Sequence, residues 1–323
     1  MYSALPHKIK QFFFVLIKLS IVFGAFYFIY NKLTTNNDLD FSAFVAFLQK
    51  NKIFSLKNVL FLLFITFLNW FLEIYKWQIL VSSIKKISFP EALKQSLGAL
   101  TASLFTPNRI GDYGAKALYF TSEYRKRIVL LNFIGNMMQM AITVLFGVFG
   151  LYYFITEYQV EFSSLRFSRV LIIIAVISIL TVFGFKQKRF KIKGFSIEKV
   201  RGFIKNISAK IKVYTFTLSL LRYLIFSFQF YFLIGIFGME FTYFQAMIAI
   251  TSMYLISSVI PSLFIFDVII KGSVAVYIFT KIGVNEFTIL SIVLLMWILN
   301  FVIPSILGSF YVLTFKLPKN KAE

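Results

Sequence analysis

Apolar residues run along this chain in blocks of about 20, too long and too unbroken to be the half-buried faces of soluble helices. Six blocks are long enough to cross a bilayer: about Phe12 to Tyr30, Val59 to Val81, Ile128 to Ile155, Val170 to Phe185, Phe216 to Phe237 and Thr288 to Thr314. Two further regions, about Glu91 to Phe120 and Phe244 to Thr280, are each interrupted near the middle by proline and polar residues. Proline ends a helix because it lacks an N–H and clashes with the preceding turn, so each region is expected to form two half-length helices. The pattern predicts an all-α polytopic membrane protein with about six spanning helices plus two re-entrant helical hairpins, in a single transmembrane domain over residues 1–323. Phe12 to Tyr30 follows Lys8 and Lys10 but has no small-residue cleavage site after it, and is expected to be an uncleaved first span.

Composition agrees with lipid as the solvent. Of 323 residues, 59% are hydrophobic and 15% charged, against about 25% charged in soluble domains. The net charge of +21 lies mostly between the apolar blocks, where it reads as topology rather than as a nucleic-acid footprint. Lys8 and Lys10, Lys85 and Lys86, Arg125-Lys126-Arg127, the run from Lys186 to Lys212, and Lys316 to Lys321 fall on one side if each hairpin returns to its side of entry. By the positive-inside rule that side is cytoplasmic and holds both termini, as in a bacterial inner membrane. Cysteine is absent and His7 is the only histidine. Thiolate catalysis, disulfides, Cys/His zinc sites and Ser-His-Asp hydrolysis are thereby excluded, and no metal or cofactor is expected. His7, in the polar N-terminal tail, has nothing nearby to orient it as a base and reads as a surface residue.

Two segments outside the spans carry local patterns. Ile197, Val200, Phe203, Ile204, Ile207 and Ile211 recur at helical spacing among Lys199, Arg201, Lys205, Lys210 and Lys212. This suits a basic amphipathic helix on an anionic leaflet or a solvated linker helix. Asp40 is placed to cap a short interfacial helix carrying Phe41, Phe44, Val45 and Leu48.

The two broken regions match each other. Ala92 precedes Pro107 by fifteen residues, and Ala246 precedes Pro261 by fifteen. Asn108 and Ser262 follow the prolines, and both are good N-caps for a restarting half-helix. Asp112 is followed four residues on by Lys116, and Asp267 four residues on by Lys271. Because the first hairpin would leave from the cytoplasmic side and the second from the outer side, the expected arrangement is an inverted-topology repeat. Its halves cover about 59–155 and 216–315, joined by a connector over about 156–215. In such folds substrate sits near the midplane where the halves meet.

Charges inside these segments are expensive. An ionised side chain at the bilayer centre costs about 2.5–3.5 kcal/mol even on lenient scales, so it faces inward, paired or in a wet cavity. Arg109, Asp112, Lys116, Asp267 and Lys271 lie in the broken regions, and Glu73 with Lys76 lies in the second span. Asp112 with Lys116 and Asp267 with Lys271 are i,i+4 neighbours able to neutralise each other, and Glu73 with Lys76 is a candidate local pair. Arg109, at the start of a half-helix and beside its positive dipole end, is placed to receive an anionic phosphate. Asn108, Gly111, Arg109, Asp112, Lys116, Asp267, Lys271 and Glu73 are accordingly the candidate substrate-binding residues.

The run Pro107-Asn108-Arg109-Ile110-Gly111-Asp112-Tyr113-Gly114-Ala115-Lys116 resembles the lysylphosphatidylglycerol synthase transmembrane (flippase-like) family, whose members carry Pro-Gly-Arg-x-Gly-Glu with a later Arg or Lys. Asn108 stands where the family has Gly, and Asp112 where it has Glu. The Trp-containing span at Trp70 to Trp77 and the segment from Ile260-Pro261-Ser262 are also similar to the family. The resemblance implies a module for moving or handling membrane lipids, with Arg109, Gly111, Asp112 and Lys116 at motif positions. No fused synthase domain is expected after the last span. The leading expectation is a lipid flippase or transporter for an anionic phospholipid or lipid-linked precursor, held in a charged cavity between the hairpins. An intramembrane lipid-modifying transferase, with Asp112 or Glu73 as base, and a non-transporting scaffold for envelope synthesis are the alternatives. The sequence shows no acidic metal cluster or nucleotide loop, which weighs against an enzyme. Membrane lipids are the expected partners and nucleic acid is not; a second copy of the chain or a separate lipid-synthesis enzyme stays open.

Overall fold

The computed structural model describes residues Ala46, Gln49, 55–104, 106, 110–158, 191–192, 195–260 and 264–318. They are helical apart from a short antiparallel ribbon, β1 (Lys191–Ile192) with β2 (Phe195–Ser196), in register Lys191 to Ser196. The helices in chain order are α1 (Leu56–Val81), α2 (Phe89–Ser103), α3 (Ile110–Leu118), α4 (Ser122–Glu157), α5 (Ile197–Asn206), α6 (Ala209–Ile236), α7 (Tyr243–Val259), α8 (Phe264–Thr280), α9 (Glu286–Trp297) and α10 (Ile303–Leu313). A π-helical turn, Ile298–Val302, joins α9 to α10.

Four stretches are long and apolar enough to cross a membrane: α1, α4, α6, and the continuous run from α9 through α10, Glu286–Leu313. These coincide with four of the six expected spans; Phe12 to Tyr30, Val170 to Phe185 and the segment after Asp40 lie outside the described residues. Large apolar side chains such as Phe64, Phe67, Phe149 and Phe310 face outward, as a lipid-facing surface requires.

Each broken region is two helices. The first is α2 then α3, the second α7 then α8, and all four are shorter than the about 20 residues a crossing needs. The paired starts are built alike. Ser88 accepts the N–H of Glu91 while the Glu91 carboxylate takes the Ser88 N–H, and Thr242 exchanges the same bonds with Gln245.

Packing partners also fall in matching pairs. α1 lies against α6, α2 packs along α10 as α7 packs along α4, and α3–α4 matches α8–α9. At both long contacts a glycine lets backbones close. A Cβ on Gly308 would strike the Leu97 carbonyl and Thr101, and one on Gly150 would strike the Thr251 hydroxyl. The Thr101 hydroxyl then donates to the Ser305 carbonyl at 2.9 Å.

The amphipathic reading of residues 197–211 needs correction. The segment is two helices, with Ser208 capping the start of α6 by accepting the Ile211 N–H. Ile207 is buried, and Phe203, Ile204 and Ile211 pack with it against Trp77, Leu80 and Val81. Much of the apolar stripe is therefore satisfied by protein rather than by a leaflet.

Candidate functional site

A carboxylate inside an apolar span must find cations, and Glu73 of α1 finds two. Lys76, one turn on, places Nζ 2.6 Å from Glu73 Oε2, and Arg222 of α6 places Nη1 2.8 Å from the same oxygen. The Lys76 side chain is 3% exposed but that of Arg222 is 25% exposed, so Arg222 is the most accessible member of the cluster. Arg222 Nε also donates to Asn69 Oδ1 at 3.1 Å.

From Asn69 the network continues through neutral amides. Asn69 Nδ2 donates to Asn300 Oδ1 at 2.8 Å, Asn300 Nδ2 to Gln229 Oε1 at 2.9 Å, and Gln229 Nε2 to Thr66 Oγ1 at 2.9 Å. Asn300 sits in the π turn four residues before Pro304. Pro304 has no N–H to offer the Asn300 carbonyl. The Trp70 indole N–H donates to that carbonyl instead, at 3.1 Å. One missing backbone donor thus opens the helix and fixes α1 to the last span, in the manner of π-bulges at functional positions.

The second charge group joins α3 to α4. Lys116 Nζ lies 3.2 Å from Asp112 Oδ2 and donates to Asn132 Oδ1 at 2.9 Å, while Asn132 Nδ2 donates to Asp112 Oδ2 at 2.6 Å. This closed triangle satisfies a lysine that is almost wholly buried. Lys116 also lies 4.6 Å from the Trp77 ring centroid, a cation–π contact. Trp77 donates to Gln95 of α2 at 2.8 Å. Since Trp77 follows Lys76 directly, α1 links the two groups. Thr106 Oγ1 accepts the Gly111 N–H at 2.8 Å, tying down the start of α3, and a Cβ on Gly111 would crowd that side chain.

Of the residues singled out from sequence, Glu73, Gly111, Asp112 and Lys116 lie in or beside this arrangement. Lys271 of α8 approaches the Phe301 ring at 5.7 Å, next to Asn300. Asn108 and Arg109 lie outside the described residues, as does the side chain of Asp267. The anticipated Glu73–Lys76 and Asp112–Lys116 pairs are both present, but neither is closed: Arg222 completes the first and Asn132 the second. Arg222 was legible by the same reasoning that picked Glu73, since it stands alone in the apolar run Phe216 to Phe237. Asn69, Gln229 and Asn300 gave a fainter signal, being amides within spans.

Among the described residues no three His, Cys, Asp or Glu gather as a metal site would need. What the arrangement offers is electrostatic: three cations, Lys76, Lys116 and Arg222, against two carboxylates, Glu73 and Asp112. Away from the spans, Glu91 has its carboxyl held below the ordinary range by the hydrogen bonds from the Ser88 N–H and hydroxyl.

A family model described as "Lysylphosphatidylglycerol synthase TM region" matches residues 15–308. The chain belongs to this family. No curated protein and no solved structure matches it. Membership in the lysylphosphatidylglycerol synthase TM region family, together with the four apolar spans, makes this a multi-pass, lipid-related membrane protein. The matched range takes in every member of both charge groups.

Proposed function

We propose that the protein is a lipid flippase or transporter that receives the anionic head group of a phospholipid or lipid-linked precursor at Arg222, Lys76 and Lys116, with Glu73 and Asp112 holding those cations in place. The observation that carries this reading is the quarter-exposed Arg222 side chain within a net-cationic cluster inside apolar helices. A guanidinium presents a fork of N–H donors that matches phosphate oxygens, and in a low-dielectric setting one uncompensated cation attracts an anion strongly.

The matched packing pairs support the inverted repeat. Counted from their helix starts, Asn69 of α1 corresponds to Arg222 of α6, and these two side chains are bonded to each other. Residues related by a two-fold exchange touch only near its axis. The cluster would then sit where the halves meet, the place inverted-repeat transporters use for substrate. On this reading α2–α3 and α7–α8 are re-entrant, and Asn108, Arg109, Asp267 and Lys271 remain candidate head-group residues on the grounds of sequence. The distribution of basic residues supports cytoplasmic termini, as in a bacterial inner membrane.

The test is reconstitution. Liposomes containing the protein and a fluorescent anionic phospholipid are expected to expose the label to an external quencher faster than empty liposomes. Arg222→Met should abolish the acceleration. Parent protein that fails to accelerate either an anionic phospholipid or a polyprenyl-phosphate lipid overturns the proposal.

A further inference from the structure

The last span packs its two ends chiefly on different hairpins. α9 lies along α8, where Ile289 and Ile292 share a core with Ala275, Ile278 and Phe279, whereas α10 lies along α2. The α10 contact is tight: Gly308 has no room for a Cβ beside the Leu97 carbonyl, and Thr101 donates to the Ser305 carbonyl at 2.9 Å. Close-packed helices move as units rather than deform. Any displacement of one hairpin against the other is therefore taken up between α9 and α10, at the π turn Ile298–Val302.

That turn is held together largely by side chains. The Ile303 N–H reaches back five residues to the Ile298 carbonyl, and Pro304 has no N–H for the Asn300 carbonyl. The Trp70 indole donates there at 3.1 Å, and the Asn300 amide donates to the Met296 carbonyl at 3.1 Å. Asn69 and Gln229 in turn hold the Asn300 side chain. A backbone bond inside a regular helix yields only when the turns on both sides yield with it. An indole or an amide lets go by rotating about one or two side-chain torsions. Here the bond that replaces the ladder comes from α1, a separate helix, so it breaks when α1 and the last span shift against each other. Helices bend at Pro and at π turns, and hinges are a few residues at element ends that absorb the change.

We propose that the π turn is a hinge, latched by the Trp70 indole, about which α10 with α2 rocks against α9 with α8 to drive the protein's working cycle. The use of that motion to move a lipid rests on the transport reading above, but the hinge itself does not.

The chain has no native cysteine, so Glu286→Cys on α9 and Phe310→Cys on α10, both exposed, accept a pair of spin labels. The labelled positions straddle the turn, roughly 36 Å apart at about 1.5 Å per residue, a separation that double electron–electron resonance reads. Full-length protein in nanodiscs should show two distances, one for the latched span and one for the bent span. Trp70→Phe takes the donor from the Asn300 carbonyl and should raise the bent-to-latched ratio about fivefold. Pro304→Ala returns a backbone donor to the same carbonyl and should lower that ratio about as much. In liposomes Pro304→Ala should also slow lipid transport about fivefold while the protein stays folded and monodisperse, which a fixed kink would not do. A single distance that neither variant changes overturns the hinge, and so does a shift of both variants in the same direction; parent transport then still supports the lipid reading. If the distances shift as expected but the parent moves no lipid, the hinge stands and the transport reading falls. If the distances shift and Pro304→Ala transports at the parent rate, the hinge has no part in the working cycle and the proposal is overturned.

Discussion

Arg222 has two separable jobs under the proposed mechanism: it neutralises Glu73 and it faces an anionic ligand. Arg222→Met removes the 2.8 Å ion pair to Glu73 and the 3.1 Å bond to Asn69. Stripping a buried ion of its only partner costs about 3–5 kcal/mol. Glu73 keeps Lys76 at 2.6 Å, and Arg222 is a quarter open, so the loss should be smaller. A hydrogen bond to a charged group contributes about 1.5–3 kcal/mol and a neutral one about 1, which sets the expected destabilisation at about 2–4 kcal/mol. Glu73→Gln in the same chain restores the cluster's net charge but turns the remaining Glu73–Lys76 pair into a buried lysine that has only a neutral acceptor. The double variant should therefore lose stability further, by about 1–3 kcal/mol, read as a fall in thermal midpoint in nanodiscs below the Arg222→Met single variant. Transport should not recover although the net charge does, because the cation that meets the lipid is still gone. A double variant that flips lipid at the parent rate would refute the reasoning and reduce Arg222 to a counterion for Glu73.

Further perturbations separate architecture from chemistry. Asn300→Leu strands the Asn69 and Gln229 amides, each buried, at about 1–3 kcal/mol apiece, and should lower the thermal midpoint more than any substitution of exposed Asn136. Gly308→Ala must press a methyl into the Leu97 carbonyl and Thr101, an overpacking cost of about 1–3 kcal/mol, whereas Gly114→Ala meets nothing within 4 Å and should be tolerated; yield and monodispersity on size exclusion compare the two. Lys116→Met leaves Asp112 with Asn132 alone and should weaken the α3–α4 junction by about 2 kcal/mol, seen as faster amide exchange over Ile110–Leu118. Glu91, whose carboxyl is held below its ordinary range, contributes cap stability present above the unfolded-state pKa and lost as pH falls through the lower folded one. Exchange at the Glu91 amide should thus quicken only under acid conditions, and Glu91→Gln should flatten that response.

The spans were legible because bilayer thickness demands long apolar runs, and Val59 to Val81 or Phe216 to Phe237 satisfy that demand whatever they pack against. The broken regions were legible for a related reason: Pro107 and Pro261 interrupt apolar segments at matched positions. Cap chemistry aligned the hairpins more tightly than the prolines did, since Ser88 with Glu91 and Thr242 with Gln245 form the same exchange of bonds. What sequence did not yield were partners distant in the chain. Nothing local says that Glu73 meets Arg222, or that the indole of Trp70 replaces the donor that Pro304 lacks. Such pairings follow from which helices lie side by side, and α1 touches both α6 and the π turn only once the chain is folded. The apolar stripe at Phe203 to Ile211 misled for the same reason. Periodicity shows that a face must be covered, but not whether lipid or Trp77 covers it.

Under the proposed repeat, the two halves differ in one respect that bears on mechanism. At the position of Lys76 in α1 stands Gln229 in α6, and at that of Glu73 stands Phe226, so the packing is shared but the charge is not. A lysine repeated at position 229 would place like charges near one axis, where low dielectric makes their repulsion costly. With Glu73 and Lys76 on α1 and Arg222 facing them from α6, the cluster keeps a single surplus cation beside a neutral wall of Gln229, Asn300 and Thr66. Under the proposed function that arrangement gives a head group a bound orientation, phosphate toward Arg222 and uncharged atoms toward the amides. It also predicts that Gln229→Lys, which restores the symmetry, lowers stability and slows transport by adding a second cation that strands an anion. If Gln229→Lys speeds transport instead, the asymmetry is incidental and the orientation it implies is wrong.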